Sequence, residues 1–159
     1  MVKIVVNEPS GSVFEKTLVK LFKEHAFLIP AWCRVLYIST ATDSEVAGTC
    51  NPVMHNGFAV ISIPEPTDSS DTPFSLRDTV LHEIAHLYTY PDTRWVIVTL
   101  ADLDIGEDVY KVFKSALMDR HESCNDALTE LFTKVVISMA KKCDTKKGSA
   151  KPFPPKKGK

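Results

Sequence analysis

The segment that most constrains this 159-residue chain is LRDTVLHEIAHLY, residues 76–88, because its apolar and polar side chains recur at helical spacing. At about 100° per residue its apolar side chains form one stripe, which consists of Leu76, Val80, Ile84 and Leu87, widened by Leu81 and Tyr88. His82 and His86 fall on the opposite side, one turn apart, with Glu83 at the boundary. The segment predicts a helix that buries one face and presents two imidazoles on the other.

The spacing of the two histidines predicts a metal site. Positions i and i+4 are neighbours on a helix, so two imidazole nitrogens can bind one ion at roughly 2.0–2.1 Å. Glu83 then lies beside the ion, where it can take a proton from a water whose pKa zinc lowers to about 7. The alternative is that both histidines are simply exposed, and the pattern alone does not decide between the two.

A catalytic zinc site needs a third protein ligand, and a later helical segment offers one. The sequence RHESCND, residues 120–126, places Glu122 and Asp126 on one helix face, and Thr129 and Thr133 continue that face. The expected core face of this helix consists of Cys124, Leu128, Leu131, Val135 and Met139. Taken alone, E-x-x-x-D indicates a solvated face; after an H-E-x-x-H helix we interpret it as a ligand and its partner.

Periodicity and turn residues place the elements of the N-terminal half. Residues 1–6 are a short apolar run that predicts an edge strand. The capping box S-x-x-E at residues 12–15 predicts a helix that continues to about Phe27. The β-branched and aromatic segments 34–40 and 58–63 predict two further strands.

The C-terminal half is predicted to be helical. The motif helix can begin at residues 72–73, with proline in the first helical position, or at the S-x-x-D cap of residues 75–78. It is expected to end at about Tyr88, because a proline follows three residues later. Residues 107–140 are predicted to form the last helix, with a break near Asp119.

The motif H-E-I-A-H at 82–86, followed by E-S-C-N-D at 122–126, resembles the gluzincin zinc metallopeptidases. This family includes thermolysin-like enzymes and minimal one-domain members, some of them encoded by phages and other mobile elements. The resemblance implies that His82, His86 and Glu122 bind one zinc ion (Zn2+) per chain. It implies that Glu83 is the general base in hydrolysis of a peptide or protein substrate, and that Asp126 orients a ligand histidine, His82.

The same resemblance implies an α+β fold: an N-terminal helix, a small sheet of three to four strands, the H-E-x-x-H helix and a C-terminal ligand helix. Within it, the strand at 58–63 would be the sheet edge that lines the cleft and binds an extended peptide by β-augmentation. The residues of that expected edge are Phe58, Ala59, Val60 and Ile61.

Two departures from the thermolysin-like pattern bear on catalysis. His86 and Glu122 are separated by 35 residues, a longer gap than in those enzymes. Those enzymes also have a further domain with a histidine and a tyrosine that stabilise the oxyanion, for which the candidates here are Tyr88, Tyr90, Tyr110, Arg120 and His121. Losing one such donor costs on the order of 10²–10³ in rate, so narrow or partner-dependent cleavage is expected.

Charge separates residues 141–159 from the preceding 140. This segment holds eight lysines and one aspartate, a charge of +7, so residues 1–140 carry −8 within a chain of net charge −1. Its Lys, Pro and Gly content predicts a disordered tail after a metallopeptidase domain at 1–140. The tail can contact nucleic acid or an acidic partner, or serve solubility alone.

The remaining composition predicts an intracellular, cytoplasmic protein without membrane contact. No apolar run approaches the roughly 20 residues of a membrane span, and the N-terminal apolar patch breaks at Asn7-Glu8-Pro9, unlike a secretion signal. The 4 cysteines lie far apart without a C-x-x-C pair, which favours free thiols. Cys124 is expected to be a small core side chain.

Two alternatives to a gluzincin peptidase remain. A catalytically silent module could keep the zinc site as a scaffold or interaction domain, although a purely structural site has no need of Glu83. A protease tethered to DNA by the lysine tail is the other alternative, and such enzymes take a histidine as third ligand, here His121 in place of Glu122.

Overall fold

The computed structural model describes residues 2–40, 48–65, 75–102 and 106–147, which form one sheet and three α-helices. The strands are β1 (Lys3–Val6), β2 (Val35–Ser39), β3 (Thr49–Val53) and β4 (Phe58–Ser62). The helices are α1 (Val13–Glu24), α2 (Leu76–Ala101) and α3 (Glu107–Lys147). The predicted α+β class is confirmed, with a small sheet followed by the motif helix and a long C-terminal helix.

The order of strands across the sheet is β1-β2-β4-β3, with β1, β2 and β4 parallel and β3 antiparallel to β4. The prediction of an edge strand at 58–63 is therefore wrong. β4 is paired on both sides, with β2 and with β3, through all four residues of the predicted edge, which are Phe58, Ala59, Val60 and Ile61. The edge that packs against α2 is β3. β4 becomes internal because the preceding segment folds back on it as a hairpin.

The hairpin between β3 and β4 depends on a glycine. The chain reverses through a 3₁₀ turn, Met54–Asn56, and Gly57 then takes a left-handed conformation with φ 70°. Side chains other than glycine rarely adopt this conformation. A Cβ at Gly57 would also lie 2.5 Å from Nε of Arg34. The exposed Arg34 side chain can move aside, so it is the left-handed backbone that makes this turn require glycine.

The N-terminus of α1 is capped as predicted by S-x-x-E. Ser12 Oγ accepts a hydrogen bond of 3.0 Å from the backbone N–H of Glu15. The Glu15 carboxylate accepts bonds from the backbone N–H groups of Ser10 at 2.7 Å and Gly11 at 3.2 Å. These bonds, with that of Ser10 first, lower the pKa of Glu15. The cap fixes the start of α1, and the helix then buries Leu18 and Phe22 in the core.

Helix α2 begins at Leu76, directly after Ser75, the first residue of the predicted S-x-x-D cap. Ser75 Oγ accepts from the backbone N–H of Asp78 at 3.2 Å, whereas the alternative start at residues 72–73 lies outside the described residues. Of the predicted apolar stripe, Val80, Leu81, Ile84 and Leu87 are buried. Leu76 is partly buried, and Tyr88 is 44% exposed. The buried side chains pack with those of α1 and the sheet in a single core. Packing of this stripe holds the opposite face of α2 toward α3.

The predicted end of α2 near Tyr88 is wrong, since the helix continues through residue 91 to Ala101. A proline in a helix interior removes one backbone hydrogen bond and costs about 3 kcal/mol or more. We attribute the continuation to α3, with which α2 makes its most extensive contact. The sequence signal for the end of the helix comes from neighbouring residues, whereas the packing that overrides it involves residues distant in the chain.

Helix α3 is continuous from Glu107 to Lys147, so the predicted break near Asp119 is wrong. The polar residues there lie on the exposed side, where solvent satisfies them without interrupting the helix. The first seven residues of the predicted disordered tail, 141–147, are helical, and residues 148–159 lie outside the described residues.

The buried face of α3 differs from the one predicted. Cys124 is exposed, and Leu131 and Met139 are 53% and 48% exposed. The residues that α3 buries instead are His121, Asn125, Phe132 and Val136. The prediction from the apolar pattern was wrong because two of the four buried residues, His121 and Asn125, are polar. Their burial is compensated by hydrogen bonds to α2.

Two further expectations concern thiols and membranes. Cys33, Cys50 and Cys124 are free, as expected. Among the helices that the structure describes, none has the length and apolar character needed to cross a membrane.

The core packing gives a direct stability prediction. Phe22 is 0% exposed, so Phe22→Ala should lower the free energy of unfolding by about 3–5 kcal/mol. Phe113 also lies on a helix but is 55% exposed, and Phe113→Ala should change it by less than about 0.5 kcal/mol. Urea denaturation followed by circular dichroism measures both. Similar losses in the two variants would contradict the described core.

Candidate metal site

The two helices bring His82 and His86 of α2 next to Glu122 of α3. Nε2 of His82 lies 3.3 Å, and Nε2 of His86 3.8 Å, from Oε2 of Glu122. Ligand atoms bound to a tetrahedral ion at about 2.0–2.1 Å are separated by roughly 3.3 Å. The three donor atoms all lie within 4.8 Å of one another, so the group can hold a metal ion.

Asp126 orients the first histidine. Its Oδ1 lies 3.3 Å from Nδ1 of His82, a position from which the carboxylate can accept the N–H of that nitrogen. A neutral imidazole carries one proton, and fixing it on Nδ1 leaves the lone pair of Nε2 directed at Glu122. The spacing of Glu122 and Asp126, one helical turn apart, lets the two carboxylates reach opposite nitrogens of the same ring.

A chain of hydrogen bonds running between α2 and α3 orients the second histidine. The hydroxyl of Thr93 donates to the carbonyl of Thr89 at 3.1 Å, so its oxygen accepts from Nδ1–H of His121 at 2.8 Å. Neutral His121 then has an unprotonated Nε2, which lies 2.9 Å from Nδ1 of His86 and accepts its N–H. This chain leaves Nε2 of His86 free to bind a metal.

Asn125 contacts the same nitrogen and completes the set of partners. Its side chain is 0% exposed, its Nδ2 lies 2.7 Å from Nδ1 of His86, and its Oδ1 accepts the hydroxyl of Thr89. An amide N–H and an imidazole N–H cannot both point at each other. Donation by the amide therefore puts the His86 proton on Nε2, while acceptance by His121 puts it on Nδ1. A metal ion held at Nε2 of His86 would select the second state.

The surroundings of His86 favour its neutral form. Burial, followed by the neighbouring His82 and His121, lowers the pKa of His86 to about 3. The imidazole is thus neutral at physiological pH, and the neutral ring is the form that binds metals. The rings of His82 and His86 meet edge to face with centroids 4.9 Å apart, and the Nε2 atoms of both lie within 3.8 Å of Oε2 of Glu122.

Glu83 is a buried carboxylate beside this group. It is 3% exposed, and burial, followed by the charge of Glu122, raises its pKa to about 8. Its Oε2 has no hydrogen-bond partner among the described residues. Glu83 lines a cavity of about 670 Å³ together with His82, His86 and Glu122. A buried polar atom without a partner is costly, so Oε2 of Glu83 is available to bind a water or a ligand in the cavity.

Gly48 is a site residue that the sequence did not reveal. It precedes β3, and a Cβ built there would lie 2.5 Å from Oε1 of Glu83. Only glycine therefore lets the edge of the sheet approach the carboxylate this closely. The sequence AGTC around it carries no motif, because the contact joins positions 35 residues apart in the chain.

The structure does not bring the predicted oxyanion donors into the cavity. The hydroxyl of Tyr88 donates to the carbonyl of Leu28 at 2.6 Å, and both nitrogens of His121 are engaged by His86 and Thr93. The Tyr90 ring stands beside His121, with centroids 6.3 Å apart. Tyr88, Tyr90 and His121 are not among the described residues that line the cavity, which contradicts their prediction as oxyanion donors.

In comparisons with known proteins, no family model, no curated protein and no solved structure matches the chain. The interpretation of the site therefore depends on its own geometry. That geometry consists of three donor atoms around one point, an oriented imidazole at each histidine and a buried carboxylate alongside.

The third metal ligand should be Glu122 and not Glu130. Glu122→Ala removes one of three donors and should weaken zinc affinity by more than about 100-fold, while Asp126→Asn should cost about 10–100-fold. Glu130 pairs with Lys134 at 2.6 Å, and Glu130→Ala should leave affinity within about 3-fold. Competition with a chromogenic chelator measures all three. Equal losses in the Glu122 and Glu130 variants would contradict the assignment.

Proposed function

We propose that this protein is a zinc metallopeptidase of the minimal gluzincin type, which hydrolyses peptide bonds in a peptide or protein substrate. The observation that carries the proposal is the buried, unpartnered Oε2 of Glu83 next to a group that can hold a metal. A site that only stabilised the fold would gain nothing from this carboxylate and would bear its desolvation cost.

The donor set supports zinc as the metal. Two imidazole nitrogens and one carboxylate oxygen form the ligand set of many catalytic zinc sites, which leave a fourth position for water or substrate. Zinc bound there supplies a Lewis acid that lowers the pKa of a water to about 7 and polarises the substrate carbonyl. Asp126 and His121 hold the two imidazoles in the orientation that this requires.

Glu83 moves the proton in the proposed reaction. A cation bound by His82, His86 and Glu122 would favour the ionised form of Glu83. Ionised Glu83 then accepts a proton at Oε2 from the attacking water, whose oxygen forms a bond to the carbonyl carbon of the substrate. The C–N bond then breaks, and Glu83 returns the proton to the leaving nitrogen, so that the products are a carboxylic acid and an amine. The burial of Glu83 excludes bulk water from this transfer.

The outer edge of β3, which pairs with no other strand among the described residues, is the proposed platform for substrate backbone. It is the outer strand on the side of the sheet that packs against α2, and Gly48, the residue before it, lies against Glu83. An extended peptide that added to this edge would carry its backbone past Glu83 and the metal group. This role replaces the one expected of the internal strand β4.

The two alternatives are less well supported. A silent zinc scaffold does not account for the unpartnered carboxylate of Glu83. A DNA-tethered protease would use His121 as third ligand, but both nitrogens of His121 are engaged by His86 and Thr93. The geometry of the described residues therefore favours Glu122 and a peptidase of the gluzincin type.

Glu83→Gln tests the mechanism. The amide is isosteric but cannot accept the proton, so zinc content and thermal stability should stay close to wild type while peptide cleavage falls by at least about 10³-fold. Glu24→Gln, a change at an exposed glutamate paired with Lys20, serves as control and should cleave normally. Cleavage of a quenched fluorescent peptide library measures the rates. An unchanged rate in Glu83→Gln would rule out the mechanism.

Gly48→Ala tests the contact between the sheet edge and the base. The new Cβ must displace the Glu83 carboxylate, so cleavage should fall by about 10-fold or more with zinc content unchanged. In a Glu83→Asp background the shorter side chain makes room, and adding Gly48→Ala should cost less than about 3-fold. Additive losses across this double-mutant cycle would show that Gly48 does not act through Glu83.

A further inference from the structure

The cavity extends beyond the metal group into a groove between α2 and α3. Its additional lining residues are Asp78 and Thr79 from α2 and Thr129, Glu130 and Thr133 from α3. Asp78 lies one helical turn before His82, so this end of the groove is adjacent to the metal group. We call these five residues the acceptor groove.

The hydroxyl groups of the acceptor groove offer no donor to a ligand. Thr129 donates its single proton to the carbonyl of Asn125 at 2.7 Å, and Thr133 donates to the carbonyl of Thr129 at 2.9 Å. Thr79 donates to the carbonyl of Ser75 at 3.4 Å. Each hydroxyl oxygen therefore presents only lone pairs to the cavity.

The carboxylates add negative charge to the same surface. Asp78 accepts one bond, from the Ser75 hydroxyl through Oδ2 at 2.7 Å, and Glu130 contacts Lys134 through Oε1 at 2.6 Å. Each retains a second oxygen as an acceptor. No lysine or arginine is found among the described residues that line the cavity.

An independent feature indicates that this cavity receives a ligand. Glu83 is 3% exposed, lines the cavity and has an Oε2 with no partner among the described residues. The groove next to it therefore differs from an ordinary acidic surface, because it continues from a buried carboxylate oxygen that has no partner among the described residues.

We propose that the acceptor groove receives the side chain of a lysine or arginine that lies within two residues of the cleaved bond. The proposal rests on the proposed function and names its substrate class: peptides with a basic residue at this position. An ammonium group has three donors and a guanidinium five, and neither has an acceptor. They match a surface that has only acceptors, whereas an acidic side chain is repelled and an apolar one leaves the acceptors unpaired.

Peptide binding tests this selection without requiring cleavage. The samples are decapeptide mixtures that carry Lys, Arg, norleucine or Glu at one fixed central position, with neutral residues elsewhere. Fluorescence polarisation measures their binding to the zinc-loaded full chain with Glu83→Gln. The Lys and Arg mixtures should bind about 10-fold more tightly than the norleucine mixture, and the Glu mixture should bind most weakly. Equal affinities, or no binding of any mixture, overturn the proposal.

Matched variants separate the groove from general charge attraction. Glu130→Gln should lower the ratio of Lys to norleucine affinity by about 3-fold or more. Glu107→Gln is the control, because Glu107 also pairs with a lysine four residues later, at 2.8 Å, but lies outside the cavity. This control should leave the ratio unchanged. An equal fall in both variants would attribute the preference to net charge and overturn the proposal.

Asp78→Asn provides a second variant in the groove. Because Asp78 also contributes to the cap of α2, circular dichroism must show that the helix content is retained. A folded Asp78→Asn protein should lose selectivity as Glu130→Gln does, and if it does not fold, the Glu130 variant decides.

Failure of the substrate class and failure of the proposed function give different results. Hydrolysis by the wild-type protein at equal rates for Lys and norleucine mixtures overturns the groove and keeps the peptidase. Selective binding of Lys mixtures without hydrolysis by the wild type keeps the groove and overturns the peptidase.

Discussion

The polar contact between α2 and α3 is the interaction on which the candidate site depends. Asn125 and His121 are buried on α3 because they bind His86 and, through Thr89 and Thr93, the backbone and side chains of α2. A buried polar group without a partner costs about 1–3 kcal/mol, so this set fixes the register between the helices. The register in turn places Glu122 opposite the Nε2 atoms of both histidines.

The same register explains why one surface of the helix pair is apolar and packs into the core, whereas another carries the polar side chains of the metal group. The stripe of α2 around Ile84 packs into the core with α1 and the sheet, which leaves the histidine face directed at α3. On α3, Glu122 and Asp126 stand beside the buried contact and remain exposed enough to reach the cavity. The acceptor groove continues along this seam, where the threonine hydroxyls are satisfied by their own helix. The contact between α2 and α3 therefore both stabilises the fold and positions the residues of the candidate site.

Sequence patterns predicted elements well where the decisive interactions are local. The cap at Ser12, the cap at Ser75 and the strands around residues 35–39 and 58–62 all follow from neighbouring residues. Predictions failed where distant packing decides. The helix α2 continues past residue 91 against its local stop signal, and β4 is internal because β3 folds onto it through Gly57.

The sequence by itself determined that His82 and His86 share one helix face with Glu83 beside them, and that Glu122 and Asp126 share another, because helical spacing is a local property. The tertiary structure alone decided which partners hold His86, that Gly48 approaches Glu83, and that Tyr88 bonds to Leu28 and not to the cavity. These contacts join residues 35 to 60 positions apart. Their geometry depends on how two helices and a sheet edge pack, and no local pattern encodes that packing.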